Sequence, residues 1–158
     1  KKRRQWWRWS EEVIPSLISP YLGYIRQSAS LQSIPDLGCS TGGDSHCSGL
    51  CCPRSLAVTC VLFDCVFFVN ISCCECSLAP LQLVTRGLIV CAPIAPSLAV
   101  DIHVLELVKK HLFVRMTPNS TAWCEVLEFF LNERGYNLNT KDSLRCRFSN
   151  AYHWYTVL

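Results

Sequence analysis

At 158 residues, half of them apolar, the chain has room for one core and is too apolar to be disordered by composition. Its net charge of +3 is uneven: Lys1, Lys2, Arg3, Arg4 and Arg8 make up a third of the fifteen basic residues, so the excess describes a terminus and not a basic domain. Twelve cysteines approach the density of a disulfide scaffold, but most sit in apolar runs, where thiols behave as small hydrophobes, so the redox compartment stays open.

Residues 1–27 read as a basic, aromatic arm followed by a proline-broken segment. Trp6, Trp7 and Trp9 interleave with the basic residues, and Pro15 and Pro20 argue against a long helix. The Ser10-Glu11-Glu12 that follows the tryptophans is unlike the apolar run of a signal peptide. Headed by Lys1, the sequence reads as a fragment, a processed product or a translated reading frame.

Residues 28–100 form a cysteine-rich apolar region, irregular or β-rich, without a clean period. Ser28 to Arg54 reads as loop, punctuated by Gly38, Gly42, Gly43 and Gly49. Ser55 to Ser72 is β-branched, aromatic and continuous, which fits a buried strand pair. Ser55 to Cys73 is also about long enough to span a membrane, although a central Asp64 would cost about 2.5–3.5 kcal/mol there. Cys73 to Ser97 alternates short apolar pieces with Pro80, Pro93 and Pro96.

Helical periodicity begins near Asp101, upstream of Met116, which is the sole methionine. Asp101 caps a first helix carrying Ile102, Leu105, Val108 and Leu112, and Thr117-Pro118 stops it. Asn119, Ser120 or Thr121 caps a second, with Trp123, Val126, Leu127, Phe130 and Leu131 as its apolar stripe. Arg134 suits that helix's C-terminal dipole, and Gly135 its left-handed end. A third helix after Thr140 carries Leu144, Phe148, Ala151, Tyr152 and Tyr155. The expected architecture is a three-helix bundle over about 101–157, with Trp123, Leu127, Phe130, Leu131, Leu144, Phe148 and Tyr152 in its core.

Few motifs carry chemistry. Cys47-x-x-x-Cys51 and Cys73-x-x-Cys76, with His46 nearby, have the spacing of two halves of a zinc site. Cys52, Cys60, Cys65 and Cys74 offer competing pairs, so no metal ligand and no cofactor is assigned. Ile71-Ser72-Cys73-Cys74-Glu75 resembles the short Leu-x-Cys-x-Glu peptide that docks on retinoblastoma-family pocket proteins, a pattern too short to build on. Asn70-Ile71-Ser72 and Asn119-Ser120-Thr121 fit the glycosylation acceptor. His46 next to Cys47 is not an activating geometry, and His103, His111 and His153 fall on expected helices, His153 beside Trp154. The chain reads as non-enzymatic, with no small-molecule substrate and no specific nucleic-acid partner. Lys1, Lys2, Arg3, Arg4, Trp6, Trp7, Arg8 and Trp9 are candidate contacts to an anionic surface, since cations bind phosphate headgroups and tryptophan prefers the interface.

Leu112-Phe113-Val114 and Val126-Leu127-Glu128-Phe129-Phe130-Leu131-Asn132-Glu133-Arg134-Gly135-Tyr136-Asn137-Leu138, closing on Trp154-Tyr155, resemble the start of a retroviral Gag matrix domain of the betaretrovirus type. The likeness covers about the last 45 residues. It departs at the start, where Met116 precedes Thr117 and not the myristoylated glycine of that family. The resemblance implies a helical, truncated, endogenous Gag-like fragment with a structural role in assembly, self-association or membrane apposition. The alternatives are a small cysteine-rich membrane or secreted protein built on 55–73, and a translated reading frame without selected function.

Overall fold

The computed structural model describes residues 2–28, 51–112, 119–136 and 144–158. The chain runs through α1 (Lys2–Arg8), a π-helical turn (Trp9–Val13) and α2 (Ile14–Gln27) into β1 (Arg54–Val61) and β2 (Val66–Cys73). Next come α3 (Ala79–Val84), β3 (Leu88–Val90), β4 (Leu98–Asp101), α4 (Ile102–Leu107) and a second π-helical turn (Val108–Leu112). Two helices, α5 (Ser120–Glu133) and α6 (Leu144–Val157), complete it. The strands make one mixed sheet in the order β2-β1-β4-β3, in which β1 is antiparallel to β2 and parallel to β4, and β3 is antiparallel to β4.

This α+β arrangement, with a central mixed sheet and helices at both ends, overturns the expected three-helix bundle beside an irregular or β-rich region. Leu88, Ile89, Val90, Leu98, Ala99 and Val100 are all buried, and Val58 to Val61 join them. Strands covered on both faces carry apolar residues at every position, so they show no period of 2.

Ser55 to Cys73 folds as a β-hairpin, with β1 antiparallel to β2. Asp64, which would be costly in a bilayer, lies in its turn, where the Leu62 N–H donates to the Cys65 carbonyl at 3.0 Å. Among the described residues no helix is long and apolar enough to cross a membrane. At the sheet edge, β2 keeps Ile71 and Cys73 buried and turns Phe68, Asn70 and Ser72 to solvent. That half-alternation is what one covered face produces.

The N-terminal arm is a helix too. Pro15 lies in the first turn of α2, where its missing N–H is dispensable. The wide turn before it leaves the Ile14 N–H bonded to the Trp9 carbonyl, five residues back. Pro20 does sit inside the helix, at a cost of about 3 kcal/mol. Burial of Trp9, Val13, Ile14, Leu17 and Tyr24 outweighs that, at about 1.5–3 kcal/mol for a large side chain. Tyr24 also explains Gly87: a Cβ there would fall 2.3 Å from the tyrosine ring, and the φ of +78° suits glycine alone.

Helices form in the three expected places but are not a bundle of their own; the first is only α4 and its π-helical turn, and its expected stop at Thr117-Pro118 lies outside the described residues. Asp101 caps α4, its side chain accepting from the His103 N–H at 3.2 Å, and is at once the last residue of β4. Asn119 caps α5 by accepting from the Ala122 N–H at 3.0 Å, and Gly135 ends it at φ +82°. Helices α5 and α6 pack together, with Trp123 and Phe148 rings 6.5 Å apart and the Leu144 N–H donating to Glu128 at 3.3 Å. Helix α6 also lies on β3, β4 and α4, which is why Arg147 and Trp154 are buried beside Leu144, Phe148, Ala151 and Tyr155.

Among the expected core residues, Leu127, Leu131, Leu144 and Phe148 are buried, and Trp123, Phe130 and Tyr152 are partly buried against the core. Val126, placed on the same stripe, is exposed, while Cys124 is buried. Only one side of α5 meets the rest of the molecule.

Candidate functional site

Two chemically distinct surfaces flank one cavity of about 530 Å³, whose lining includes Arg8, Glu12, Cys51, Arg54, Cys74 and Glu75. On one side is the N-terminal helix, and on the other the open end of the β1–β2 hairpin.

The helix divides the anionic-surface candidates. Trp9 is buried and stacks on Trp154, with ring centroids 4.9 Å apart and planes 17° apart. It is a core residue that anchors the helix to α6. Arg8 is half-buried and ion-paired with Glu12 at 2.6 Å, one turn on. Arg3, Arg4, Trp6 and Trp7 are exposed, Trp6 and Trp7 by 55 % and 58 %. Trp6 leans on His153 and Trp154, its outer edge left in solvent. Farther along, Ile18, Leu22 and Arg26 face outward from α2. Lys1 and the side chain of Lys2 lie outside the described residues.

The hairpin register brings the thiols together. Arg54 pairs with Cys73, so continuing the ladder by three residues each way sets Cys51 opposite Cys76. Their sulfurs are 3.1 Å apart, and with Cys74 all three sulfurs lie within 4.8 Å of one another. The turn that carries Cys74 and Cys76 is closed by reciprocal backbone bonds between Cys74 and Ser77, at 3.1 and 3.3 Å. From α3, Gln82 Nε2 donates to the Ser72 carbonyl at 2.8 Å and to the Ser77 hydroxyl at 3.0 Å.

The zinc-type spacing is therefore rearranged. Cys51 and Cys76 meet, Cys73 is 4 % exposed and belongs to the core, and Cys74 takes the place that Cys73 was given. His46 and Cys47 lie outside the described residues. Sequence reasoning counted Cys74 only among the competing cysteines and missed Gln82, although a hairpin folded about Phe63-Asp64 sets 51 against 76 by simple counting. Cys60 and Cys124 are different: burial pushes both thiols up to about 12, so neither is a nucleophile or an easy ligand near neutral pH.

Most of the remaining candidates are taken up by the fold. Ile71 and Cys73 are buried in β2, so the Leu-x-Cys-x-Glu-like segment is not free to dock. Asn70 is exposed on β2, and Asn119 is occupied as a helix cap. His153 packs edge-on against Trp154 at 4.9 Å. His103 faces the Tyr24 hydroxyl at 3.2 Å and Glu106 at 3.8 Å, joining α2 to α4. Burial, and then the nearby Asp101 carboxylate, push the Tyr24 hydroxyl above its ordinary value. His111 has no described side chain.

No family model, no curated protein and no solved structure matches the chain.

Proposed function

We propose that the chain is a non-enzymatic surface-association protein that rests its N-terminal helix on anionic membrane. The observation that carries this reading is the division of labour within that helix. Trp9 is spent on the core, while Arg3, Arg4, Trp6 and Trp7 stand in solvent beside it. Exposed tryptophans next to cations suit the headgroup region, where the ring is half wet and the cation meets phosphate. Each basic side chain near an anionic leaflet contributes about 1 kcal/mol, so two or three give weak, reversible and salt-sensitive binding. Glu11 and Glu12 oppose it, which places the contact at the first turns and not along the whole helix.

The reading keeps the membrane-association role implied by the matrix resemblance but does not lean on it, because the helical bundle implied with it is not the fold adopted. Co-sedimentation with phosphatidylserine-containing vesicles tests it. Binding is expected at low salt, with a blue shift of tryptophan fluorescence, and is expected to weaken with salt and in Trp6→Ala/Trp7→Ala and Arg3→Glu/Arg4→Glu variants. Equal binding to neutral phosphatidylcholine vesicles, or no effect of either variant, would sink it.

A further inference from the structure

We propose that Cys51, Cys74 and Cys76 form a binding site for a thiophilic divalent cation of the zinc class. This stands apart from the membrane reading and rests on the open end of the hairpin. Three sulfurs lie within 4.8 Å, two of them 3.1 Å apart. A tetrahedral zinc–thiolate centre, with Zn–S near 2.3 Å, separates its sulfurs by about 3.7–3.8 Å, a value inside that span. Shifts of well under 1 Å per sulfur bring the three to that spacing.

The ligands come from two directions, as a tetrahedral site requires. Cys51 leads into β1, while Cys74 and Cys76 sit on one tight turn after β2. The turn is held without the cation: Cys74 and Ser77 exchange two backbone bonds, and Gln82 clamps Ser72 and Ser77 from α3. Such outer contacts orient ligands in advance and lower the ordering cost of binding. Cys51 and Cys74 are half-buried and Cys76 is exposed, so a cation has an entry path from solvent.

The chemistry is proton exchange without redox. Each thiol that ligates gives its proton to solvent, so one divalent cation displaces up to three protons and leaves a trithiolate centre. The cation also removes the repulsion that three adjacent thiolates would otherwise feel. The described residues supply three ligands, leaving the fourth position to water or to a donor outside them. The bound centre would tie the strand ends to the entry of α3 and stiffen one wall of the cavity.

The test uses the full chain, reduced and kept anaerobic, with one equivalent of zinc or, for its spectrum, cobalt(II). The expected result is one cation per chain retained through gel filtration and seen by native mass spectrometry. The cobalt form should show thiolate charge-transfer and tetrahedral d–d bands. In the unmodified chain, zinc should shield Cys51, Cys74 and Cys76 from iodoacetamide while Cys146 on α6 alkylates at an unchanged rate. That footprint does not depend on any variant folding. Cys51→Ser, Cys74→Ser and Cys76→Ser should each weaken binding by at least the about 10–100-fold typical of losing an outer-shell partner, and Cys146→Ser should not. Failure to retain a cation, shielding at other cysteines, or a Cys51–Cys76 disulfide that forms equally fast with zinc present would each overturn the site.

Discussion

In β4, Leu98, Ala99 and Val100 are fully buried, whereas α5 leaves Val126 64 % and Phe129 65 % exposed. The strand is short and touched on every side, flanked by β1 and β3 and covered by α6. The helix is long and well capped, and among the described residues it leans mainly on α6. The difference separates two sources of order. Helix α5 has strong local signals and few tertiary contacts, while β4 has almost no local signal and is ordered by what surrounds it. Stability follows burial, so the poorly patterned strand, not the well-patterned helix, is the centre of the molecule.

The largest expected effect comes from cutting the two regions apart. A peptide of residues 101–158 should show little helix by circular dichroism. Its two 14-residue helices are near the length at which isolated helices are marginal, and α6 loses β3, β4 and Trp9 as packing partners. A cooperative thermal transition in that peptide would break the comparison.

Next come single truncations at the contact between the regions. Phe148→Ala should lower unfolding free energy by about 3–5 kcal/mol and Leu98→Ala by about 2–5 kcal/mol, read from denaturant midpoints. Both side chains are fully buried, one on α6 and one on β4. Equal, large losses would sharpen the claim of a shared core.

A smaller, pH-dependent effect belongs to Asp101, where strand becomes helix. Burial, only partly offset by the His103 amide and charge, raises its carboxyl above the ordinary value. The fold thus holds the proton more tightly than the unfolded chain does. The resulting stability is fully present below the ordinary carboxylate value and is lost as pH rises through the raised one. Asp101→Asn keeps a good cap without the charge and should flatten that dependence. Asp101→Ala should flatten it too, but at a loss of about 0.5–2 kcal/mol from the missing cap. Denaturation curves at acidic and neutral pH distinguish them. The smallest effect is expected at the exposed face of α5, where Val126→Ala should change stability by no more than about 0.5 kcal/mol.

The same contrast explains what could be read from the residues. The Asp101 cap, a cap at 119–121, the left-handed Gly135 and much of the inner faces of α5 and α6, though not exposed Val126 or buried Cys124, were legible because each is a local rule. Of the sheet, the β1–β2 strand pair was legible in its continuous β-branched and aromatic run, but β3 and β4 were not, since they are buried along their length and lack alternation. The N-terminal helix was hidden by Pro15 and Pro20, whose local penalty a buried tryptophan and four neighbours override. At the candidate metal site, Cys51 and Cys76 were visible as spaced cysteines. Which of the competing cysteines joins them, Cys74 and not Cys73, emerged only once the hairpin register was known. Register is a long-range property, and a spacing pattern within one segment does not contain it.

Native-state amide hydrogen exchange on the intact chain tests the sheet-centred core most directly. A core at β1 and β4 predicts the slowest exchange among amides such as Cys60 and Val100, with those of α5 opening earlier, since exchange protection follows the most buried cooperative unit. Slowest exchange confined to α5 and α6, with unprotected β1 and β4 amides, would contradict it.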